Sequence, residues 1–198
     1  MLKYKKNIIL ASTSSIRKKI LEDAGIFFET IAPEFDEEQY KSDNESLNPK
    51  ELSMKLAENK ALSISFKNPE SLVIGSDQVC SVGNKIFNKS KNFQEALQQL
   101  TELSNKTHIQ NNSTVIALNK KIIFRKFSKV FLHMRMCENE ELQKYITIDK
   151  PWGCAGSYKY ESLGKHLFAK INGDYYSILG LNIQEILNFL HKKKYINF

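Results

Sequence analysis

A chain of 198 residues, 41% hydrophobic and 26% charged, has the composition of a soluble globular protein and can bury one core or one core divided between two lobes. Its formal charge of +7 suits an anionic partner such as a nucleotide, nucleic acid or membrane surface, while Lys, Asn and Ile recur throughout and give part of that charge a compositional origin. No apolar run approaches the roughly 18 residues of a membrane span, and Ile8-Ile9-Leu10-Ala11 is too short for the core of a signal peptide.

The predicted elements alternate. Asn7 to Ala11 reads as a buried strand, and Ser14 or Ser15 caps a helix whose apolar face is Ile16, Ile20, Leu21 and Ala24, ended by Gly25. Ile26 to Ala32 is expected to be a second strand, Pro33 to Glu38 an acidic loop and Lys41 to Pro49 a polar surface linker. Glu51 to Phe66 has helical spacing, and Leu72-Val73-Ile74 is a short buried strand running into Gly75-Ser76-Asp77. Phe93 to Leu103 is helical, and Ile109 to Ala117 and Ile122 to Met136 are strands joined near Asn119-Lys120. A short helix over Glu138 to Ile146, an irregular loop over Asp149 to Gly164, a strand over His166 to Ile171 and a helix over Gln184 to Leu190 complete the order. Helices and strands alternate in the first half and strands dominate later, which predicts a single α/β domain with α+β features.

Five constellations carry chemistry. In Leu10-Ala11-Ser12-Thr13-Ser14-Ser15-Ile16-Arg17-Lys18-Lys19, hydroxyls and free backbone N–H groups at a helix start form a phosphate cradle, and Arg17 adds a bidentate cation. Three cations in the first turn oppose the helix dipole, so a bound anion would explain them; a plain capping run with solvated lysines is the alternative. Asp77 after an apolar strand stands where open α/β sheets bind ligands, able to hold a divalent metal or to accept a proton from water; a turn aspartate is the alternative. Lys60 and Lys89 are isolated cations, more ordinarily surface than site. Gly153-Cys154-Ala155-Gly156-Ser157-Tyr158-Lys159-Tyr160-Glu161 allows close approach to a ligand, with Glu161 as an acceptor. Lys120 to Lys129 interleaves cations with aromatics, which suits RNA stacking but equally a half-exposed strand. The three cysteines, Cys80, Cys137 and Cys154, show no C-x-x-C spacing, so reduced thiols in a cytoplasmic protein are expected, and nothing orients Cys154 and His166 as a nucleophile pair.

Taken in order, LASTSSIRKKIL, PEFDEE, LAENKA, VIGSDQVC, NKSKNFQEALQQL, CAGSYKYESLG and NGDYYSILGL resemble the Maf-type nucleoside triphosphate pyrophosphatases, most closely their 7-methyl-GTP pyrophosphatase branch. The resemblance implies an elongated mixed β-sheet flanked by helices, two lobes with a central cleft, and hydrolysis between the α- and β-phosphates with a divalent cation, Mg²⁺ or Mn²⁺. By position, Asp77 matches the catalytic aspartate taken as proton acceptor, Ser12, Arg17, Lys60 and Lys89 match the phosphate-handling set, and Ile16, Gln78 and Glu161 fall where substrate choice is set. Asp77, helped by Asp36 or Glu37, would hold the metal, and Glu161 could accept from N1–H and the exocyclic amine of a guanine. The implied role is removal of modified nucleotides. A nucleotide is the partner, a homodimer is left open, and neither membrane nor nucleic acid is expected. The chain departs from the family at Ser15 and Asn182, where prolines are usual, at Asn88-Lys89-Ser90 for Gly-Lys-Pro, and at Ile16 for an aromatic. Two other readings stand beside it: a dTTP and UTP pyrophosphatase of the same family, against which Gln78 and Glu161 argue, and an inactive nucleic-acid-binding or division-regulating protein, against which Asp77, Arg17, Lys60 and Lys89 argue.

Overall fold

A computed structural model describes residues 2–198. In chain order the elements are β1 (Lys3–Tyr4), β2 (Ile8–Ala11), α1 (Ser15–Asp23), β3 (Glu29–Ile31), α2 (Glu37–Asp43), α3 (Pro49–Ser65), β4 (Leu72–Val82), β5 (Lys85–Phe87), α4 (Phe93–Leu103), β6 (Thr107–Leu118), β7 (Lys121–Met134), α5 (Asn139–Asp149), a 3-10 turn (Leu163–Leu167), β8 (Phe168–Asn172), α6 (Tyr175–Ile178), α7 (Ile183–Lys192) and β9 (Ile196–Asn197). Among the described residues no helix is long and apolar enough to cross a membrane.

The main sheet runs β3-β2-β4-β6-β7-β8, with β5 also on β4. β2 lies parallel to β3 and β4, and the other pairings are antiparallel, so the sheet is mixed as the α/β reading expects. β4 is the spine. One of its edges pairs with β6 from Val73 to Ser81. The other edge is shared: β2 takes Leu72 to Gly75 and β5 takes Cys80 to Val82. Between those two partners, Ser76, Asp77, Gln78 and Val79 have no strand neighbour on that side among the described residues. This gap in the sheet is the physical origin of the cleft, since two strands diverge there and leave the middle of a third open to a ligand.

Helix α3 fixes one wall of the gap. Asn48 caps it in a reciprocal pairing with Glu51, Pro49 fills its first position, and Leu52, Leu56, Ala57, Ala61 and Ile64 are buried. Its packing is close enough that a Cβ on Gly75 would lie 2.5 Å from the Ala57 carbonyl oxygen and 2.8 Å from the Ala61 Cβ, so only glycine fits. The two largest apolar clusters are separate: one around Ile8, Leu10, Leu21, Ile74 and Ile186, the other around Phe87, Leu100, Leu132, Met134 and Ile146.

Several expectations need correction. The segment read as acidic loop and polar linker contains a helix, α2, with Asp36 as its N-cap; it buries no residue, which left no apolar periodicity to find. The strand expected to end at Ile74 continues to Val82, because β6 pairs with it throughout, so Asp77 lies within a strand instead of after one. The second strand is three residues, Glu29–Ile31. The strand expected from His166 begins at Phe168, after the 3-10 turn. In β7 the basic stretch alternates between exposed and half-buried positions, with Arg125 paired to Glu58 at 2.6 Å and Lys126 to Glu185 at 2.5 Å, the pattern of a solvated strand face.

Candidate active site

The opposite faces of β4 enter the cleft with different chemistry. On the face toward α3, Asp77 is 5% exposed and bonds Lys60, which is 8% exposed, at 2.5 Å (Oδ1 to Nζ). The same ammonium bonds Glu37 Oε2 at 2.6 Å, and Lys41 bonds Glu37 Oε1 at 2.7 Å. Two carboxylates from α2 and β4 therefore converge on one lysine from α3. Burial opposes the charge on Glu37, but Lys60 and Lys41 together outweigh it and hold its carboxyl at about 2. Asp36 is not part of this group: it is exposed and accepts from the Gln39 N–H at 2.9 Å as the cap of α2.

On the other face, Ser76 and Gln78 hold the turn after α6. Ser76 Oγ donates to the Gly180 carbonyl at 2.9 Å or the Ser113 carbonyl at 2.8 Å, and Gln78 Nε2 donates to the carbonyls of Ser177 at 2.9 Å and Ile178 at 2.8 Å. Arg17 Nε donates to the same Gly180 carbonyl at 2.8 Å. Gly180 has φ +93°, and a Cβ there would come within 3.2 Å of two Arg17 nitrogens, so glycine is needed for both conformation and space. Burial holds the Arg17 guanidinium below its usual range, and Asp77 and Glu37 offset only part of that effect. Asn182, standing where the family has proline, caps α7 by accepting from the Glu185 N–H at 3.2 Å and ties the same turn to Ser128 Oγ at 2.9 Å.

The start of α1 forms the third side. Ser14 caps the helix, its Oγ accepting from the Arg17 N–H at 3.4 Å, and Ser12 Oγ accepts from the Ser14 N–H at 3.1 Å. Ser15 occupies the first helical position, where proline would also fit. Lys18 and Lys19 are exposed on the helix exterior, Lys18 lying 3.7 Å from Glu22, and neither borders the cleft. Lys89 reaches the cleft from beyond β5, where its backbone bridges to Ala155 in the glycine-bearing loop.

The cleft has two continuous halves. The outer half encloses about 610 Å³ and is bordered by Ser12, Arg17, Glu37, Lys60, Lys89 and Lys159. That size is within the usual range for ligand sites. The inner half is bordered by Asp77, Gln78, Gln110, Tyr158, Tyr160 and Ile178. Ile16, Arg17, Lys89 and Glu161 border both. Of the residues singled out from the sequence for catalysis, metal, phosphate or substrate choice, Ser12, Ile16, Arg17, Glu37, Lys60, Asp77, Gln78, Lys89 and Glu161 thus meet at one cleft, and Asp36 does not. Sequence reasoning gave no role to Lys41, Ser76, Gln110 and Lys159; Ser76 and Lys159 had a signal, sitting in the Gly75-Ser76-Asp77 run and in the Gly153 to Glu161 stretch, while Lys41 and Gln110 had none. Cys154 also borders the cleft, but burial pushes its thiol up to about 11, which argues against a nucleophile.

Among the described residues no group of three or more His, Cys, Asp and Glu side chains is placed to hold a metal by itself. The pair Asp77 and Glu37 is a hard-oxygen donor set of the size that suits Mg²⁺ when substrate phosphates complete the shell.

The whole chain can be set beside known proteins. The family described as Maf-like protein matches residues 7–193. The chain is 36% identical over 194 residues to a nucleoside triphosphate pyrophosphatase of Bradyrhizobium diazoefficiens, covering 97% of this chain and 96% of that one. It is 36% identical over 191 residues to a protein of the same name from Legionella pneumophila, covering 96% of each. It is also 36% identical over 194 residues to a 7-methyl-GTP pyrophosphatase of Brucella abortus, covering 96% of this chain and 98% of that one. With a match across nearly its full length and the cleft geometry that its motifs imply, the chain belongs to the Maf family.

Proposed function

We propose that this protein is a nucleoside triphosphate pyrophosphatase that converts 7-methyl-GTP to 7-methyl-GMP and pyrophosphate and so clears a modified nucleotide from the pool. The observation that carries the reading is the Glu37–Lys60–Asp77 array standing beside Arg17 and Lys89 at the gap in the sheet. A triphosphate brings about four negative charges, and a cleft with Arg17, Lys60, Lys89 and the N-terminus of α1 on its walls offers matching positive potential.

In this reading Arg17 grips phosphate oxygens with its remaining guanidinium nitrogens, since Nε is already committed to Gly180. Ser12 and the first N–H groups of α1 complete the cradle. Asp77 accepts a proton from a water that attacks the α-phosphorus; the new P–O bond forms as the bond to the bridging oxygen breaks, and pyrophosphate leaves. Lys60 orients Asp77 through Oδ1, leaving Oδ2 for the water. Asp77 and Glu37 are the residues that would hold Mg²⁺ or Mn²⁺, which when bound supplies charge neutralisation on the phosphates.

Incubation of the purified protein with 7-methyl-GTP, GTP, dTTP and UTP in the presence of Mg²⁺ or Mn²⁺, followed by chromatography of the products, tests this reading. The expected result is monophosphate and pyrophosphate, fastest from 7-methyl-GTP. Inorganic phosphate with a diphosphate product, or no product from any of the four, overturns it.

A further inference from the structure

The inner end of the cleft holds a buried acceptor that no group among the described residues satisfies. Gln110, on β6, is 2% exposed. Its Nε2 donates to the Ala155 carbonyl at 3.2 Å and to Tyr158 Oη at 2.7 Å. A backbone carbonyl can only accept, so the nitrogen must be the atom that faces Ala155, and the amide has one orientation. That leaves Oε1 buried and without a partner. Buried acceptors are almost always paired, and Gln110 borders the inner half of the cleft, so the orphan oxygen of this side chain points to a ligand donor.

The surroundings keep that oxygen in place. Tyr158 is 4% exposed, pairs with His108 Nε2 at 2.9 Å and packs its ring edge-on against Phe168 at 4.8 Å between centroids. Tyr160 lies 5.9 Å from Phe168 and 6.0 Å from Tyr175, so its ring is braced on two sides and lends the inner half an aromatic wall. Glu161, which follows it, brings a second acceptor to the same half. Two acceptors beside an aromatic wall fit a base edge that carries adjacent N–H donors. Guanine has one, with N1–H next to the 2-amino group. Uracil and thymine present a single N–H between two carbonyls, and those oxygens would face the protein's own.

We infer that Gln110 is a specificity-determining residue that reads the base, its Oε1 accepting a hydrogen bond from the 2-amino group of a guanine ring lying along Tyr160. This rests on the pyrophosphatase reading above and deepens it. Inosine triphosphate, which is GTP without the 2-amino group, and dGTP, which lacks only the 2′-hydroxyl, isolate the contact. In the wild-type protein kcat/KM for GTP is expected to exceed that for inosine triphosphate by about tenfold or more. In Gln110→Met, which keeps the side-chain length and removes the acceptor, that ratio is expected to fall to within about twofold. Calorimetric affinities for GMP and IMP should show the same preference and the same loss without any turnover. A wild-type protein that treats GTP and inosine triphosphate alike overturns the inference with no variant needed. So does a Gln110→Met protein that keeps the wild-type ratio, or one whose loss follows the 2′-hydroxyl instead of the amine. If no nucleotide is hydrolysed, the pyrophosphatase reading falls, and the ratio of GMP to IMP affinity still decides the role of Gln110.

Discussion

The two faces of β4 are built from the same strand and do opposite things with polarity. Toward α3 the strand presents Asp77 to Lys60, which also bonds Glu37, so two carboxylates share one buried ammonium, with Asp77 buried and Glu37 half-buried. Away from α3 it presents Ser76 and Gln78, neutral groups spent on the carbonyls of the turn that holds Arg17. The charged face is poised for chemistry, because its groups are few, paired and within reach of the cleft. The neutral face is architecture, because every donor on it already has an acceptor. A strand whose successive side chains point to opposite sides can keep these roles one residue apart.

The largest expected effect breaks the charged face alone. Asp77→Asn should lower kcat by about 10³-fold, the range for a missing proton acceptor. The fold should tolerate it, since Lys60 keeps Glu37 as its partner at 2.6 Å. The thermal midpoint should move by less than about 5 °C. Steady-state kinetics beside a thermal melt check both, and a loss of under tenfold in kcat would remove Asp77 from the role given to it.

The faces should also separate by pH. Behind the neutral face, burial holds His108 down at about 4, and on the charged face Glu37 sits at about 2. Both groups bind protons more readily in the unfolded chain, so both contribute stability that disappears on acidification. The His108 contribution is complete above about 6.5 and is lost as pH falls toward 4, worth about 3 kcal/mol at 1.36 kcal/mol per unit. The Glu37 contribution is complete above about 4.5 and is lost toward 2. Urea midpoints measured from pH 7 down to 3 should therefore fall in two stages. His108→Gln should flatten the upper stage and Glu37→Gln the lower one; a wild-type midpoint constant between 6.5 and 4 would refute the first assignment.

A smaller effect tests whether the neutral face is only architecture. Gly180→Ala puts a methyl where φ is +93° and where two Arg17 nitrogens lie within 3.2 Å. Backbone strain of this kind costs about 1–3 kcal/mol. The displaced guanidinium should raise KM for the triphosphate several-fold while kcat changes less. An unchanged KM alongside the stability loss would show that Arg17 is not held for substrate by this turn.

How much of this was visible in the sequence depended on what each residue leaves behind as a pattern. The proposed phosphate cradle was legible because Ser12, Ser14 and Arg17 sit together at a helix start, where hydroxyls and cations are chemically conspicuous. Asp77 was legible by its place after an apolar strand and by resemblance, whereas Lys60 was legible by resemblance alone, since an isolated lysine reads as surface. The extent of β4 was not, since Gly75-Ser76-Asp77 looks like a turn, and only the close approach of α3 to Gly75 and the long pairing with β6 explain why it is strand. α2 was invisible because it is a polar helix with no buried stripe. Gln110 was invisible for a related reason: a polar residue in a strand reads as solvent-facing, and only burial on β6 with its nitrogen committed elsewhere marks its oxygen as unusual.

The finest test addresses the proposed base end of the cleft, where Ile16 stands at a position for which the family resemblance implies an aromatic. Ile16 is half-buried in the first turn of α1 and borders both halves of the cleft, while Tyr160 borders the inner half. An aliphatic side chain offers a base van der Waals contact but no π face for a methylated, cationic purine. If Tyr160 alone supplies that face, selectivity for 7-methyl-GTP over GTP should be modest in the wild-type protein and should rise in Ile16→Trp. A cation–π contact at a partly exposed site is worth about 0.5–1 kcal/mol, or roughly two- to fivefold in the ratio of kcat/KM values. The same substitution should leave kcat for GTP within a factor of about two, because it replaces neither Asp77 nor any of the cations Arg17, Lys60 and Lys89. A ratio that stays flat would place the base away from α1, against Tyr160 and Glu161 only, and would narrow base recognition to the loop that follows Gly153.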